Sequence, residues 1–274
     1  MNWKQCIPIL MLSVSALVAA AQQAPASNPA SFPTEATHNG GAAPAAKPAL
    51  TSRQIAEMRA QIMMARKMYG GAIIIYGNLL KQYPKDAGLL NQMGIAYQEL
   101  GDDRDAGHYY KKAIHADHHF ASPLNNLGTV EYELKRFAQA VKLYTKALIE
   151  RGDASAVYCN LGYAYFAQKL FPNAMHAFNQ ALALDPHAFE HRGGEGSLVQ
   201  QRSVTDPGTF YFYVAKAYAG VGDVEHCTHY LKLARDEGYA QFAGAQTDPA
   251  FAAMAKDPQF KLLFVPEKPV VESR

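Results

Sequence analysis

The chain has 274 residues, 49% of them apolar and 18% charged, which allows one or two globular domains and is too apolar for a disordered chain. Its 26 basic and 24 acidic residues leave a formal charge of +2, and no block of Lys and Arg concentrates it. The basic field that grips nucleic acid or an anionic bilayer is therefore missing, and three cysteines are too few for a disulfide-stapled scaffold.

Residues 1–21 have the layout of a secretory signal peptide. Lys4 is the positive start, Ile7 to Ala20 is apolar apart from Pro8, Ser13 and Ser15, and Ala19, Ala20 and Ala21 precede Gln22 as a cleavage site. The apolar run falls short of the roughly 20 residues that span a bilayer, so cleavage is expected, with an uncleaved membrane anchor as the alternative. Cys6 lies ahead of the apolar run, out of place for a lipid-bearing cysteine. The expected location is periplasmic or secreted. Residues 22–50 are Ala, Pro, Ser, Thr and Gly with hardly a large apolar side chain, and read as a disordered linker.

From there on, internal repetition governs the chain. Ala72, Ala106, Ala140 and Ala174 recur every 34 residues, each followed four residues later by Tyr76, Tyr110, Tyr144 or Phe178. Leu90, Leu124 and Tyr158 keep the same spacing, as do Met93, Leu127 and Leu161 and then Gly94, Gly128 and Gly162. The first unit, from about Arg53, has a degenerate first half in which Ile55, Met58, Ile62 and Ala65 form one apolar helical stripe. A fifth unit follows an interruption of 19 residues, with Tyr211, Val214, Ala215, Tyr218, Gly222, Cys227, Leu231 and Ala234 on the shifted columns.

Within each unit the apolar residues step by three and four, which predicts helices. Gly101-Asp102 and Gly222-Asp223 mark turns inside units; Tyr83-Pro84-Lys85-Asp86 and Asp185-Pro186 mark turns between them. Small columns let two backbones cross closely, and the ring column fills the groove beside the crossing. Asp248-Pro249 and Asp257-Pro258 each read as an N-cap followed by a first-turn Pro, starting short helices whose Phe251, Met254, Phe260, Leu263 and Phe264 cap the array. Cys159 and Cys227 fall in different helices facing different ways, so no bridge is expected between them.

The segment Asn91-Gln92-Met93-Gly94-Ile95-Ala96-Tyr97, with Gly101-Asp102, Ala106, Tyr110 and Ala113, resembles a tetratricopeptide repeat. So does Asn160-Leu161-Gly162-Tyr163-Ala164-Tyr165, with Ala174, Phe178, Ala181 and Asp185-Pro186. The resemblance covers about 53–188 and 208–238, with departures at Glu131, His118, Gly152 and Cys227. It implies an all-α fold: a right-handed superhelical solenoid of antiparallel helix pairs, about five repeats plus C-terminal capping helices. The expected layout is a signal peptide at 1–21, a linker at 22–50, repeats 1–4 at 51–188, an inserted loop at 189–207, repeat 5 with its cap at 208–264, and a tail at 265–274.

By the same resemblance the first helix of each unit lines a concave groove that binds a protein or peptide. The groove columns are then Asn91, Asn125, Cys159 and Phe212; Ile95, Thr129, Tyr163 and Lys216; and Gln98, Tyr132, Phe166 and Ala219. Asn91 and Asn125, one unit apart, would bond a peptide backbone, and Tyr132, Tyr163, Phe166 and Phe212 would form an aromatic patch of the kind rich in binding hot spots. The alternative is that these rings pack against neighbouring helices or the inserted loop. With almost no Lys or Arg among the groove columns, a clamp for a partner's C-terminal carboxylate is unsupported.

Chemistry finds little footing. Gly193-Gly194-Glu195-Gly196 lacks the Lys-Ser/Thr of a phosphate loop, and no catalytic signature occurs, so neither an enzyme nor a cofactor is expected. His115, Asp117, His118 and His119 crowd one turn, and His226 and His229 lie three apart on a helix. Neighbouring turn residues diverge, so surface histidines without metal are expected; the alternative is a small-ligand or metal-binding repeat protein using this turn and the insertion.

Overall fold

The turn signals become helix boundaries because each supplies a cap. The carboxylates of Asp86, Asp102 and Asp223 accept the backbone N–H three residues on, at 2.9, 3.0 and 3.0 Å, satisfying donors that a helix start leaves orphaned. Thr51 and Gln54 form a reciprocal capping box. The structure, a computed structural model, describes residues 50–150, 155–190, 204 and 206–265. The predicted signal peptide, nearly all of the linker, most of the insertion and the tail after Val265 lie outside the described residues.

Among the described residues ten helices of 13 or 14 residues pair into five hairpins. They are α1 Ser52–Ala65 with α2 Tyr69–Gln82, α3 Ala87–Glu99 with α4 Asp103–Ala116, and α5 Ala121–Glu133 with α6 Phe137–Glu150. Then come α7 Ser155–Ala167 with α8 Phe171–Leu184 and α9 Pro207–Gly220 with α10 Val224–Asp236. Two 3-10 turns, Phe242–Gln246 and Pro249–Phe251, and the short helix α11 Pro258–Leu262 follow. No strand occurs among the described residues. Each helix packs on the next in sequence, and the first helices of the second, third and fourth hairpins also touch one another, so the units stack as a solenoid.

Sterics at the crossings explain the repeating columns. A Cβ placed on Gly94 would meet the Tyr110 ring at 2.5 Å, and one on Gly128 the Tyr144 ring at 2.6 Å; at Gly162 it would strike Phe178. The glycine of the first helix is thus the seat of the ring from the second. In the fifth hairpin both members change together: Ala215 faces the column where Leu231 replaces the ring, and both are fully buried. Ala72, Ala106, Ala140, Ala174 and Cys227 are all fully buried where two helices meet. Cys159 and Cys227 carry free thiols; burial pushes the Cys227 thiol up to about 12 and the Cys159 thiol above even that.

The turn within each hairpin has one residue at positive φ: Lys67, Gly101, Lys135, Lys169 and Gly222, between 57° and 86°. The chain there reverses through a Schellman-type closure, with Arg136 N–H donating to Glu131 O at 2.8 Å and Leu170 N–H to Tyr165 O at 3.0 Å. Glycine suits that conformation at no steric cost. Three lysines occupy it instead.

At the first unit the expected apolar stripe exists but does not enter the core. Ile55, Met58 and Ile62 are 38%, 42% and 42% exposed, and Ala65 is exposed too. Ala60 is the fully buried residue of α1, with Ala56, Met63 and Met64 packed around the same core. Ile55 and Ile62 occupy columns that the second hairpin buries as Leu89 and Ala96; no described helix precedes α1. At the other end Phe251, Met254 and Phe260 are buried, with Phe251 edge-on to Phe212 at 5.6 Å.

Candidate functional site

The first helices carry the predicted groove residues, and most of those side chains are engaged inside the stack. Asn91 and Asn125 are 4% and 1% exposed. The Asn160 amide donates to Asn125 at 2.9 Å, Asn125 to Asn126 at 3.4 Å, and Asn126 to Asn91 at 3.2 Å. This ladder sews α7, α5 and α3 together, so these two amides serve the solenoid instead of offering themselves to a peptide. Each bond between helices joins residues 35 apart, one column of a first helix to the adjacent column of the next, and buried amides satisfy one another there.

The rings divide into two groups. Tyr163 stacks on Phe210 at 5.0 Å and meets Phe178 edge-on at 5.9 Å, and Phe212 stacks on Tyr239 at 4.5 Å; both are packing residues. Lys216 lies over the Phe212 and Tyr213 rings and pairs with Asp248 at 2.6 Å. Gln98 accepts from the Tyr110 hydroxyl at 2.6 Å. Tyr132 and Phe166, though largely buried, line an indentation.

That indentation is a cleft of about 360 Å³ lined by Tyr132, Glu133, Lys135, Phe137, Phe166, Ala167, Lys169, Phe171, Val204 and Asp206. It is built twice over. At the end of α5 Tyr132 meets Phe137 from the start of α6, with centroids 5.1 Å apart and planes inclined by 59°. At the end of α7 Phe166 meets Phe171 from the start of α8, 5.4 Å apart at 58°. Between the two ring residues of each pair the chain carries a lysine at φ 59°, Lys135 or Lys169, and both lysines are exposed. Burial pushes the Tyr132 phenol up to about 12. Apolar walls with a few polar groups at the rim suit a large apolar side chain flanked by polar backbone. A larger and more open depression of about 570 Å³, lined by Arg235, Phe242, Gln246 and Phe264 among others, lies between α10 and the cap; it shows no such duplication.

Lys135, Phe137, Lys169 and Phe171 are absent from the predicted groove set. Their signal was present, since each pair recurs at 34 residues and the lysines replace Gly101 and Gly222 in the turn column. They lie beyond the helix columns that the family resemblance assigns to the groove.

Two family models, both described as tetratricopeptide repeat, match residues 91–156 and 155–188. No curated protein matches the sequence. Among solved structures, Pseudomonas aeruginosa pilF is 20% identical, with a TM-score of 0.51 over 77% of this chain and 91% of that one. MamA from Desulfovibrio magneticus RS-1 is 18% identical, with a TM-score of 0.49 over 69% and 99%. YrrB, described as a TPR protein with an unusual peptide-binding site, is 16% identical, with a TM-score of 0.45 over 69% and 89%. The likeness to pilF is one of fold.

Proposed function

Because this chain belongs to the tetratricopeptide repeat family, whose members are in general protein-interaction scaffolds, we propose that it is a non-catalytic scaffold seating a segment of a partner protein in the cleft of its third and fourth hairpins. The duplicated ring–lysine–ring arrangement carries this reading. Tyr132, Lys135 and Phe137 recur as Phe166, Lys169 and Phe171, so an extended segment crossing both hairpins meets the same surroundings twice. Holding lysine at positive φ costs roughly 1–2 kcal/mol per residue; Lys67 of the first hairpin shares that conformation, so it is the flanking ring pairs that mark the cleft. The partner segment would place an apolar side chain between the ring pairs and carbonyls or carboxylates toward the lysines.

The proposed place of action is the cell envelope, outside the cytoplasm, after cleavage behind Ala21. The apolar run from Ile7 to Ala20 supports this. Fractionation with N-terminal sequencing tests it, and a mature protein still beginning at Met1 would overturn the cleavage.

Photo-crosslinkers at position 135 or 169 of the full chain, expressed in its native cells, test the cleft. Discrete adducts with one protein at both positions, and none from position 112 on α4, are expected. Equal labelling at all three positions, or none at 135 and 169, would rule the cleft out.

A further inference from the structure

His187, Glu190 and His226 converge from two separate segments where the 34-residue period breaks. His187 and Glu190 belong to the turn that leaves α8, and His226 to the first turn of α10. Glu190 Oε1 lies 2.6 Å from His226 Nε2 and 3.2 Å from His187 Nδ1, and one ligand atom from each of the three lies within 4.8 Å of the others. Among the described residues no other trio of His, Cys, Asp and Glu meets this condition.

The surroundings of His226 hold it in place. Its Nδ1 faces Asp223 Oδ2 at 2.7 Å, leaving Nε2 to point at Glu190. Its ring lies flat on Tyr218, with centroids 4.9 Å apart and planes 18° apart. A carboxylate behind one imidazole nitrogen, fixing tautomer and orientation while the other nitrogen is presented, is the arrangement that supports metal-bound histidines. The turn carrying the other two donors is likewise fixed: His187 N–H donates to Asp185 Oδ1 at 2.9 Å, and Glu190 N–H to His187 O at 2.9 Å.

We propose that His187, Glu190 and His226 bind one divalent transition-metal ion of the zinc class, clipping the end of the fourth hairpin to the fifth. Two imidazoles and one carboxylate suit zinc and its neighbours and not the all-oxygen preference of calcium or magnesium. In a tetrahedral site with bonds of about 2.0–2.2 Å neighbouring donors stand about 3.4 Å apart, so the Glu190 carboxylate must swing away from His226 and the donors that now lie up to 4.8 Å apart must draw in, movements of up to about an ångström or somewhat more. Exposures of 59% at His187 and 45% at Glu190 leave those side chains room to turn. The ion takes over the place where Glu190 now bridges the two rings, and a fourth position remains for water. Asp223 is a positioning residue.

Of the histidines that the sequence crowds together, His226 alone belongs to this site. In the crowded turn the His119 ring turns to Glu150 at 2.8 Å, while His115 and His118 meet only ring to ring, 6.0 Å apart. His229, the i+3 neighbour of His226, lies edge-on to Tyr230 at 5.3 Å.

Isothermal titration of the chelator-stripped full chain with zinc alone tests the proposal, alongside cobalt titration read by the visible bands of tetrahedral Co²⁺. One ion per chain is expected, with a rise in unfolding temperature. His187→Ala should weaken binding at least tenfold without unfolding the chain, and Glu190→Gln and His226→Ala should do so too. Asp223→Asn should weaken binding about tenfold, and the His115→Ala/His118→Ala double variant should leave it unchanged. Absence of stoichiometric binding to the wild type would overturn the site. So would binding that survives His187→Ala and Glu190→Gln, or that is lost in the double variant.

Discussion

Lys169 shows how one residue trades stability for position. Its φ of 59° places it in the conformation that glycine tolerates and other residues enter at a cost. Replacing it by Gly removes that strain but gives freedom back to the unfolded chain. Lys169→Gly is therefore expected to raise stability by about 0.5–1 kcal/mol in urea unfolding while lowering crosslinking in the cleft; loss of stability would mean the lysine is not strained. Asn125 shows the converse, a polar side chain wholly given to structure. Asn125→Ala withdraws the acceptor of the Asn160 amide and a donor to Asn126. A loss of about 1–3 kcal/mol is expected, and a double-mutant cycle with Asn160 should show coupling, whereas additive losses would deny the ladder.

Among the elements, the C-terminal cap depends on charge. Lys216 on α9 reaches Asp248, the residue that caps the Pro249–Phe251 turn and accepts the Ala250 N–H at 2.9 Å. Burial alone would raise the Asp248 carboxyl, but the Lys216 ammonium and the Ala250 N–H hold it below the ordinary carboxylate range. A carboxyl depressed in the folded state stabilises fully above its unfolded pKa of about 4, and that contribution fades as pH falls through the lower folded value. Hydrogen-exchange protection in residues 248–262, taken relative to the intrinsic rate at each pH, is expected to hold at neutral pH and to fall below about pH 4, ahead of the central helices. Asp248→Asn should flatten this dependence. An unchanged profile in that variant would assign the acid response to other groups.

For the molecule as a whole, a stack has two ends and they differ. The C-terminal end is covered by Phe251, Met254 and Phe260, whereas α1 presents Ile55, Met58 and Ile62 outward. One column can therefore tolerate opposite chemistry at different repeats. Ile62→Lys should change stability by less than about 0.5 kcal/mol, while Ala96→Lys, at the same column and fully buried, should cost more than about 4 kcal/mol. Comparable losses in thermal melts of the two variants would show that the α1 face is covered in solution.

Much was legible because a 34-residue period fixes which columns meet: Gly94 under Tyr110, Gly128 under Tyr144 and Gly162 under Phe178 follow from spacing and size. The turns followed from Gly101-Asp102 and Gly222-Asp223, and the short C-terminal helices from Asp248-Pro249 and Asp257-Pro258. Sequence periodicity reports which face of a helix is apolar, not whether a neighbour covers it, so the exposure of Ile62 and the engagement of Asn91, Asn125, Tyr163 and Phe212 were settled only by stacking. The convergence of His187 and Glu190 with His226 is likewise a tertiary result. His226 lies far along the chain from the turn that carries His187 and Glu190 and on no common column with it, and packing of the fifth hairpin against the turn after the fourth is what brings their donor atoms to one point.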